Sequence, residues 1–241
     1  MVSLDDIRRF VDELLVVERF AGLDDPSGVY RPTDREIRRL GLTLDGWPGI
    51  GSWIADGGYD GLVVHRPWDL PLERFPDLGV LAYHLPFDER LTTSFNPWLA
   101  AALGMDGIEP LGAKQGRPIG MIGGVPDQPL DLFRARLEAE FGPLEGMRVG
   151  DRGVVSRVAV VGALWPELVE QAARRGADLY VSGTWRPRAA AAIEATGIAV
   201  ALVGHRPPEA WGMRTLARLI GEGWPGLAVE VAPDLVRSYP R

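Results

Sequence analysis

The chain has 241 residues, 46% of them hydrophobic and 24% charged, which is enough for one large or two small domains with a buried core. Its net charge of −7 disfavours a surface that follows nucleic-acid phosphates, and the absence of cysteine excludes disulfides, thiolate nucleophiles and cysteine-ligated metals. Because no apolar stretch approaches the ~20 residues of a membrane span and no signal-peptide pattern is present, we expect a cytoplasmic protein that binds neither membranes nor nucleic acid.

The first half of the chain is predicted to contain helices and two buried strands. Ser3 can cap an opening helix whose apolar residues share one face. Thr33 and Glu36 have the spacing of a capping box and predict a short basic helix. Residues 47–58 and 93–103 predict two more helices. Between them, apolar runs ending at His65 and His84 read as buried parallel strands.

The second half alternates helices with apolar strands. The patterns predict helices over 130–141 and 166–175, and a last helix opened by Pro207 and Pro208. Strands are predicted over 154–161, 177–182 and 198–203. This alternation predicts an α/β fold with largely parallel sheets. The segment 108–128 is rich in glycine and proline, so we expect it to connect a first domain, 1–107, to a second, 129–241.

Each of the three histidines ends an apolar run and is followed four residues later by a carboxylate. The pairs are His65 with Asp69, His84 with Asp88, and His205 with Glu209. Ligands of open α/β sheets bind beyond the carboxyl ends of the strands, which is where these imidazoles are expected. A metal site, a general base with its orienting acid, and a plain hydrogen-bonded pair all fit this pattern.

The two halves also show a weak internal repeat. Residues 55–64 resemble residues 173–182, and each segment runs from a helix end through a glycine turn into a strand. About twenty residues later, 79–84 parallels 197–205, and each ends in a histidine that a carboxylate follows. The repeat predicts two similar domains with equivalent strand ends.

Together these motifs resemble the Nif-three-like dinuclear metal centre family, whose members are often described as GTP cyclohydrolase 1 type 2 homologues. The resemblance rests on these segments: Tyr59-Asp60-Gly61-Leu62-Val63-Val64-His65, Tyr83-His84-Leu85-Pro86-Phe87-Asp88, Ala177-Asp178-Leu179-Tyr180-Val181-Ser182-Gly183, Gly204-His205 with Glu209, and Asp25-Pro26-Ser27-Gly28-Val29-Tyr30. It implies two similar α/β domains with a metal cleft between them and a ring-shaped homohexamer.

The resemblance also implies a set of metal ligands. The family's ligand positions fall on His65, Asp88, His205 and Glu209, and its remaining histidine position holds Arg66. A guanidinium has no lone pair to donate, so one or two divalent ions are expected and Arg66 puts the second position in question. Nitrogen and oxygen ligands suit Zn, Mn or Fe. His84 is not among the family's usual ligands and is expected to orient Asp88 or shuttle a proton.

Arginines suggest a second kind of site. Arg66 and Arg206 follow histidines at strand ends, and Arg186 and Arg188 follow a strand of the second half. They could recognise phosphate or carboxylate groups, or they could be surface arginines paired with Asp69, Glu209 or solvent. Three hypotheses follow: a metal-binding protein that acts as a metal-assisted hydrolase, a metal-free relative that binds an anionic small molecule, and a structural or regulatory ring without catalysis.

Overall fold

The structure is a computed structural model that describes residues 1–25 and 27–236. Pro26, which belongs to one of the segments that carry the resemblance, lies outside the described residues, as does 237–241 at the end of the predicted second domain. The chain divides into two compact units. The first comprises Met1–Phe87 and the chain from Gly212 onward, and the second comprises Asp88–Trp211. Among residues 1–25 and 27–236, none of the helices combines the length and the hydropathy that a membrane span requires.

The secondary structure follows the predicted α/β alternation. The helices, labelled α1 to α8 in chain order, are Leu4–Leu15, Ile50–Gly57, Leu85–Leu91, Pro97–Ala102, Leu130–Phe141, Pro166–Arg174, Ala190–Thr196 and Arg206–Gly223. The strands, labelled β1 to β13, are Ser27–Arg31, Arg39–Thr43, Gly61–Val64, Gly79–Tyr83, Asp106–Pro110, Ala113–Lys114, Arg117–Pro118, Gly120–Pro129, Gly146–Arg148, Val154–Val161, Leu179–Ser182, Ala199–Leu202 and Ala228–Val231. Short 3-10 turns lie at Val17–Phe20, Leu72–Arg74, Pro187–Ala189 and Pro233–Leu235.

The first unit is built on a five-stranded sheet in the order β1-β4-β3-β2-β13. Strand β1 is antiparallel to β4, and the other neighbours are parallel. Strands β3 and β4 are buried along their whole length, which explains their continuous apolar sequences. Ile50 and Ile54 of α2 pack with Leu62 and Val64 of β3 in one core cluster.

The second unit is built on a six-stranded sheet in the order β5-β8-β10-β11-β12-β9. Its centre, β10-β11-β12, is parallel, and β5, β8 and β9 run antiparallel to their neighbours. Helix α5 contributes Phe133 and Leu137 to one core cluster. Helices α6 and α7 contribute Val169 and Ile193 to another. This mixed sheet is the part of the fold that departs from the expectation of largely parallel sheets.

Each unit contains the same three-strand arrangement, in agreement with the internal repeat. Strands β2-β3-β4 of the first unit correspond to β10-β11-β12 of the second. The carboxylate of Asp60, before β3, accepts the N–H groups of Arg38 and Arg39 at 2.9 and 3.1 Å. Asp178, before β11, accepts those of Ser156 and Arg157 at 2.9 and 3.0 Å. Both aspartates therefore tie the start of one strand to its neighbour, as expected of turn-capping residues.

Most predicted elements are confirmed, but the helix predicted to start at Thr33 is wrong. The segment after Thr33 is irregular and leads into β2. Its amides bind other segments instead of forming a helical turn: Ile37 N–H donates to the carbonyl of Val2 at 2.8 Å, and the next two amides bind Asp60. The helix predicted over 93–103 is shorter, because Pro97 begins α4 and Asn96 caps it through a hydrogen bond from Leu99 N–H.

The division into units also differs from the predicted boundary at 108–128. That segment supplies β6, β7 and parts of β5 and β8, so it belongs to the second unit. Its glycines permit a tight turn and close strand pairing: Gly116 has φ +78°, and a Cβ on Gly123 would lie 2.7 Å from the carbonyl oxygen of Asp106. The chain after Gly212 returns to the first unit, because β13 pairs with β2 there.

Candidate metal centre

Three side chains form the one group of potential metal ligands found among residues 1–25 and 27–236. The ligand atoms of His65, His84 and Asp88 all lie within 4.8 Å of one another. His65 and His84 follow the ends of the adjacent parallel strands β3 and β4. Asp88 comes four residues after His84, in the first turn of α3. The parallel pairing of β3 with β4 therefore brings His65 close to His84, and the first turn of α3 brings Asp88 close to both.

His65 is fully buried and its tautomer follows from its hydrogen bond. Its Nδ1 lies 2.9 Å from the carbonyl oxygen of Tyr83. A carbonyl can only accept, so Nδ1 carries the proton, and the lone pair of the neutral ring is on Nε2. Tyr83 is itself fixed, because its hydroxyl donates to Asp12 at 2.8 Å, and burial together with that bond raises the pKa of Tyr83 well above its ordinary value.

His84 is held by a carboxylate from the loop before β1. Its Nδ1 lies 2.7 Å from Oδ1 of Asp25, whose side chain is 6% exposed. The other oxygen of Asp25 accepts the N–H of Leu85 at 2.9 Å. The pair presents Nε2 of His84 as the second nitrogen of the group. His84 was expected to support Asp88, whereas its geometry is also that of a ligand.

Arg66 does not point to Asp69, the partner considered from the sequence. Its Nη1 lies 2.8 Å from Oδ1 of Asp45, and both side chains are about a quarter exposed. Asp69 is exposed and has a φ of +64°. The ion pair with Asp45 gives the positive charge of Arg66 a carboxylate in its own unit.

His205 and Glu209 form a pair of their own at the start of α8. Nε2 of the exposed His205 lies 3.2 Å from Oε1 of Glu209, which is 2% exposed. One helical turn separates them, so the pair forms as the spacing predicts. The group of three does not include them, and their role as metal ligands stays a prediction.

A cavity of about 310 Å³ lies in the second unit, at the carboxyl ends of β10, β11 and β12. This is the position at which open α/β sheets bind ligands. Asp88, His205 and Glu209 line it, together with the hydroxyl-bearing segment 92–94. Asp88 therefore belongs both to the candidate metal group and to the wall of this cavity.

The arginines are placed in different surroundings. Arg186 is exposed and lines the cavity. Arg188 lies over the ring of Trp165, with 5.4 Å between the guanidinium carbon and the ring centroid. Arg206 is exposed at the first position of α8. Of the anion-binding candidates, only Arg186 is a cavity residue among the part of the chain described.

Sequence reasoning missed Asp25, Asp45 and the hydroxyl groups of 92–94. Asp25 lies 59 residues from His84 in the chain, and nothing in its local sequence marks it as a partner. Asp45 lies two residues after the end of β2, which is a usable signal, since polar residues at the carboxyl ends of parallel strands meet at one edge of the sheet. The run Thr92-Thr93-Ser94 is visible in the sequence shortly after Asp88, but it matches no known binding motif and so predicted no site.

Comparison with known proteins gives one family and several relatives. Residues 76–235 match the model of the family described as Duf34/NIF3 (NGG1p interacting factor 3). A Deinococcus radiodurans protein described as a GTP cyclohydrolase 1 type 2 homolog is 28% identical, over 91% of this chain and 89% of its own. One from Pyrococcus horikoshii with the same description is 30% identical, over 90% of this chain and 93% of its own.

Solved structures share the fold at lower identity. A crystal structure of a Thermus thermophilus protein has a TM-score of 0.74 at 22% identity, covering 100% of this chain and 99% of that one. Reduced HcgD from Methanocaldococcus jannaschii has a TM-score of 0.72 at 19% identity, covering 96% and 98%. At 22% and 19% identity, this likeness shows a shared fold and nothing about shared chemistry.

Proposed function

This chain belongs to the Duf34/NIF3 family, and we propose that it binds a divalent metal ion through His65, His84 and Asp88. The observation that carries the proposal is the closeness of their ligand atoms, all within 4.8 Å of one another. Exposed acidic residues often lie close together on a protein surface without binding a metal ion. Here, however, one member is fully buried and the other two are partly buried.

The donor set fits a borderline metal such as Zn, Mn or Fe. Two imidazole nitrogens and one carboxylate oxygen are the mixed set these ions prefer. Each histidine has its Nδ1 proton directed at an oxygen, the Tyr83 carbonyl for His65 and the Asp25 carboxylate for His84. Such bonds fix the ring orientation and raise the basicity of the coordinating nitrogen. His205 and Glu209 remain further predicted ligands, on the resemblance alone.

Metal-assisted hydrolysis is the reaction we propose for this site. A divalent ion bound there would supply Lewis-acid chemistry to an oxygen of the substrate. If His205 and Glu209 are not ligands, they would handle protons: the carboxylate of Glu209 can hold a proton passed from Nε2 of His205, 3.2 Å away, and the exposed imidazole can exchange it with solvent. The relatives' description as GTP cyclohydrolase homologues makes GTP one substrate to test.

Metal titration tests the proposal directly. Protein purified without chelators and then dialysed should take up Zn or Mn stoichiometrically by calorimetry and elemental analysis, and Asp88→Asn should weaken uptake strongly. Asp69→Asn is the matched control, because Asp69 is exposed, carries the same charge and lies outside the group. Failure of the wild-type chain to take up any divalent ion would refute the proposal.

Two rival functions lead to different measurements. A metal-free anion binder would rely on its arginines, but Arg66 is already paired with Asp45. It would be favoured if phosphate raised the melting temperature of protein that binds no metal. A structural or regulatory ring would have the mass of the homohexamer that the resemblance implies, which light scattering measures. It would also turn over no substrate in a reaction that Asp88→Asn abolishes. A cytoplasmic location also stays a prediction.

A further inference from the structure

The cavity of the second unit carries polar groups that the candidate metal group leaves unused. We propose that it binds the phosphate group of a small phosphorylated molecule through Thr93, Ser94 and Arg186. This inference rests on the proposed metal site, because it names the substrate class that the site would act on. A volume of about 310 Å³ suits a small phosphate monoester.

The hydroxyl groups of Thr93 and Ser94 carry the inference. The two residues are 5% and 6% exposed and both line the cavity. Neither hydroxyl forms a hydrogen bond with any residue of the described ranges 1–25 and 27–236. By contrast, the neighbouring Thr92 hydroxyl donates to the carbonyl of Asp88 at 2.6 Å. Neither the Thr93 nor the Ser94 oxygen is among the fully buried polar atoms that lack a partner in the described residues, so both are open to the cavity, where they can donate to an oxygen of a bound phosphate.

The backbone around Ser94 is shaped to leave its hydroxyl accessible. Gly162, the first residue after β10, also lines the cavity. A Cβ at that position would lie 2.9 Å from the Ser94 oxygen, which is closer than real side chains approach. Helix α6 begins at Pro166, and its N-cap residue Trp165 lines the cavity and makes no side-chain capping bond. An uncapped helix start favours an anion nearby.

The charges in the cavity determine when an anion can bind. Arg186 is a cation at the exposed edge, and it forms no ion pair within the part of the chain that the structure describes. The carboxylates of Asp88 and Glu209 line the same cavity and repel an anion. A divalent ion held by Asp88 would reverse that repulsion. We therefore expect phosphate to bind the metal-loaded protein far more tightly than the metal-free protein.

Calorimetric titration of inorganic phosphate into metal-loaded protein, freed of excess metal, tests the inference. Thr93→Val, Ser94→Ala and Arg186→Gln should each weaken phosphate binding roughly tenfold, since each removes one donor to a charged group. Gly162→Ala should weaken it as well, by placing a methyl group against the Ser94 oxygen. The controls are Thr196→Val and Arg174→Gln, which change the same residue types away from the cavity.

Separate titrations with metal and with phosphate distinguish the two proposals. The phosphate site would be overturned if phosphate affinity were unchanged in Ser94→Ala, Thr93→Val and Gly162→Ala. Normal metal uptake in the same experiment would leave the metal proposal standing. Absent metal uptake by the wild type would overturn the metal proposal. In that case, phosphate binding that Ser94→Ala abolishes would still support the subsite. Thermal melting of each variant shows that the fold is retained.

Discussion

Asp25 and His84 form a hydrogen-bonded pair between the loop before β1 and the end of β4. Nδ1 of His84 lies 2.7 Å from one oxygen of Asp25, and the N–H of Leu85 lies 2.9 Å from the other. The carboxylate is thereby held on both sides and is 6% exposed. Because it binds the ring and the adjacent backbone together, Asp25 sets the direction in which His84 presents Nε2 to the candidate metal group.

Asp25→Asn should lower metal affinity by roughly 10- to 100-fold. An amide can accept from only one of the two donors, so either the His84 ring or the Leu85 amide loses its partner. Asp24→Asn removes the same charge from an exposed neighbour and should leave affinity unchanged. Metal titration by calorimetry measures both. Equal affinity in the two variants would show that Asp25 only stabilises the loop.

Arg66→His should increase the number of metal ions bound per chain. The resemblance puts a family histidine at this position, and an imidazole supplies the lone pair that the guanidinium lacks. Arg66→Gln is the control, since it also breaks the ion pair with Asp45 but adds no imidazole. Elemental analysis after saturation gives the stoichiometry. The same stoichiometry in wild type, Arg66→His and Arg66→Gln would argue against a lost second position.

Asp178→Asn should destabilise the fold at neutral pH and flatten its acid dependence. Burial alone raises the pKa of Asp178, but hydrogen bonds from Ser156, Arg152 and the Arg157 amide outweigh it and hold the pKa below its ordinary 3.8. A carboxyl with a depressed folded pKa contributes stability that is present above 3.8 and is lost as the pH falls through the folded pKa.

The expected loss is about 1–3 kcal/mol in the free energy of unfolding at pH 7, the cost of leaving buried donors without a charged acceptor. Urea unfolding from pH 7 down to the acid range measures it. Asp127→Asn, at an exposed position, should behave as wild type. If the free energy of unfolding fell as steeply with decreasing pH in Asp178→Asn as in the wild type, Asp178 would not be the source of the acid dependence.

Gly150→Ala should cost about 1–3 kcal/mol of unfolding free energy, because a Cβ there would lie 2.4 Å from the Gly197 carbonyl and 2.5 Å from the Ala199 nitrogen. These backbone atoms lead into β12 and cannot move aside without disturbing that strand. At Gly153 a Cβ meets nothing within 4 Å, so Gly153→Ala should change stability by less than about 0.5 kcal/mol. Thermal unfolding of the two variants compares them directly.

The fold could be predicted wherever the chemistry was local. Ser3 caps α1 as expected, and the capping box that it forms there with Asp6 is local, since its donors and acceptors lie within three residues. The continuous apolar runs of β3, β4 and β11 identified buried strands. Thr33 shows the limit: its capping-box spacing was present, but Asp60 and Val2 took the amides that a helix would have needed.

The candidate site also has features that the local sequence predicts and features that it does not. The sequence by itself determined the α/β alternation, the position of each histidine at a strand end, and the i, i+4 pairing of His205 with Glu209, because strand burial and helix geometry depend on neighbours in the chain. Only the tertiary structure decided that Asp25 orients His84, that Asp45 pairs with Arg66, and that Thr93 and Ser94 face a cavity. These contacts join residues distant in sequence, and no local periodicity encodes which of many carboxylates or hydroxyls the folded backbone brings within hydrogen-bond distance.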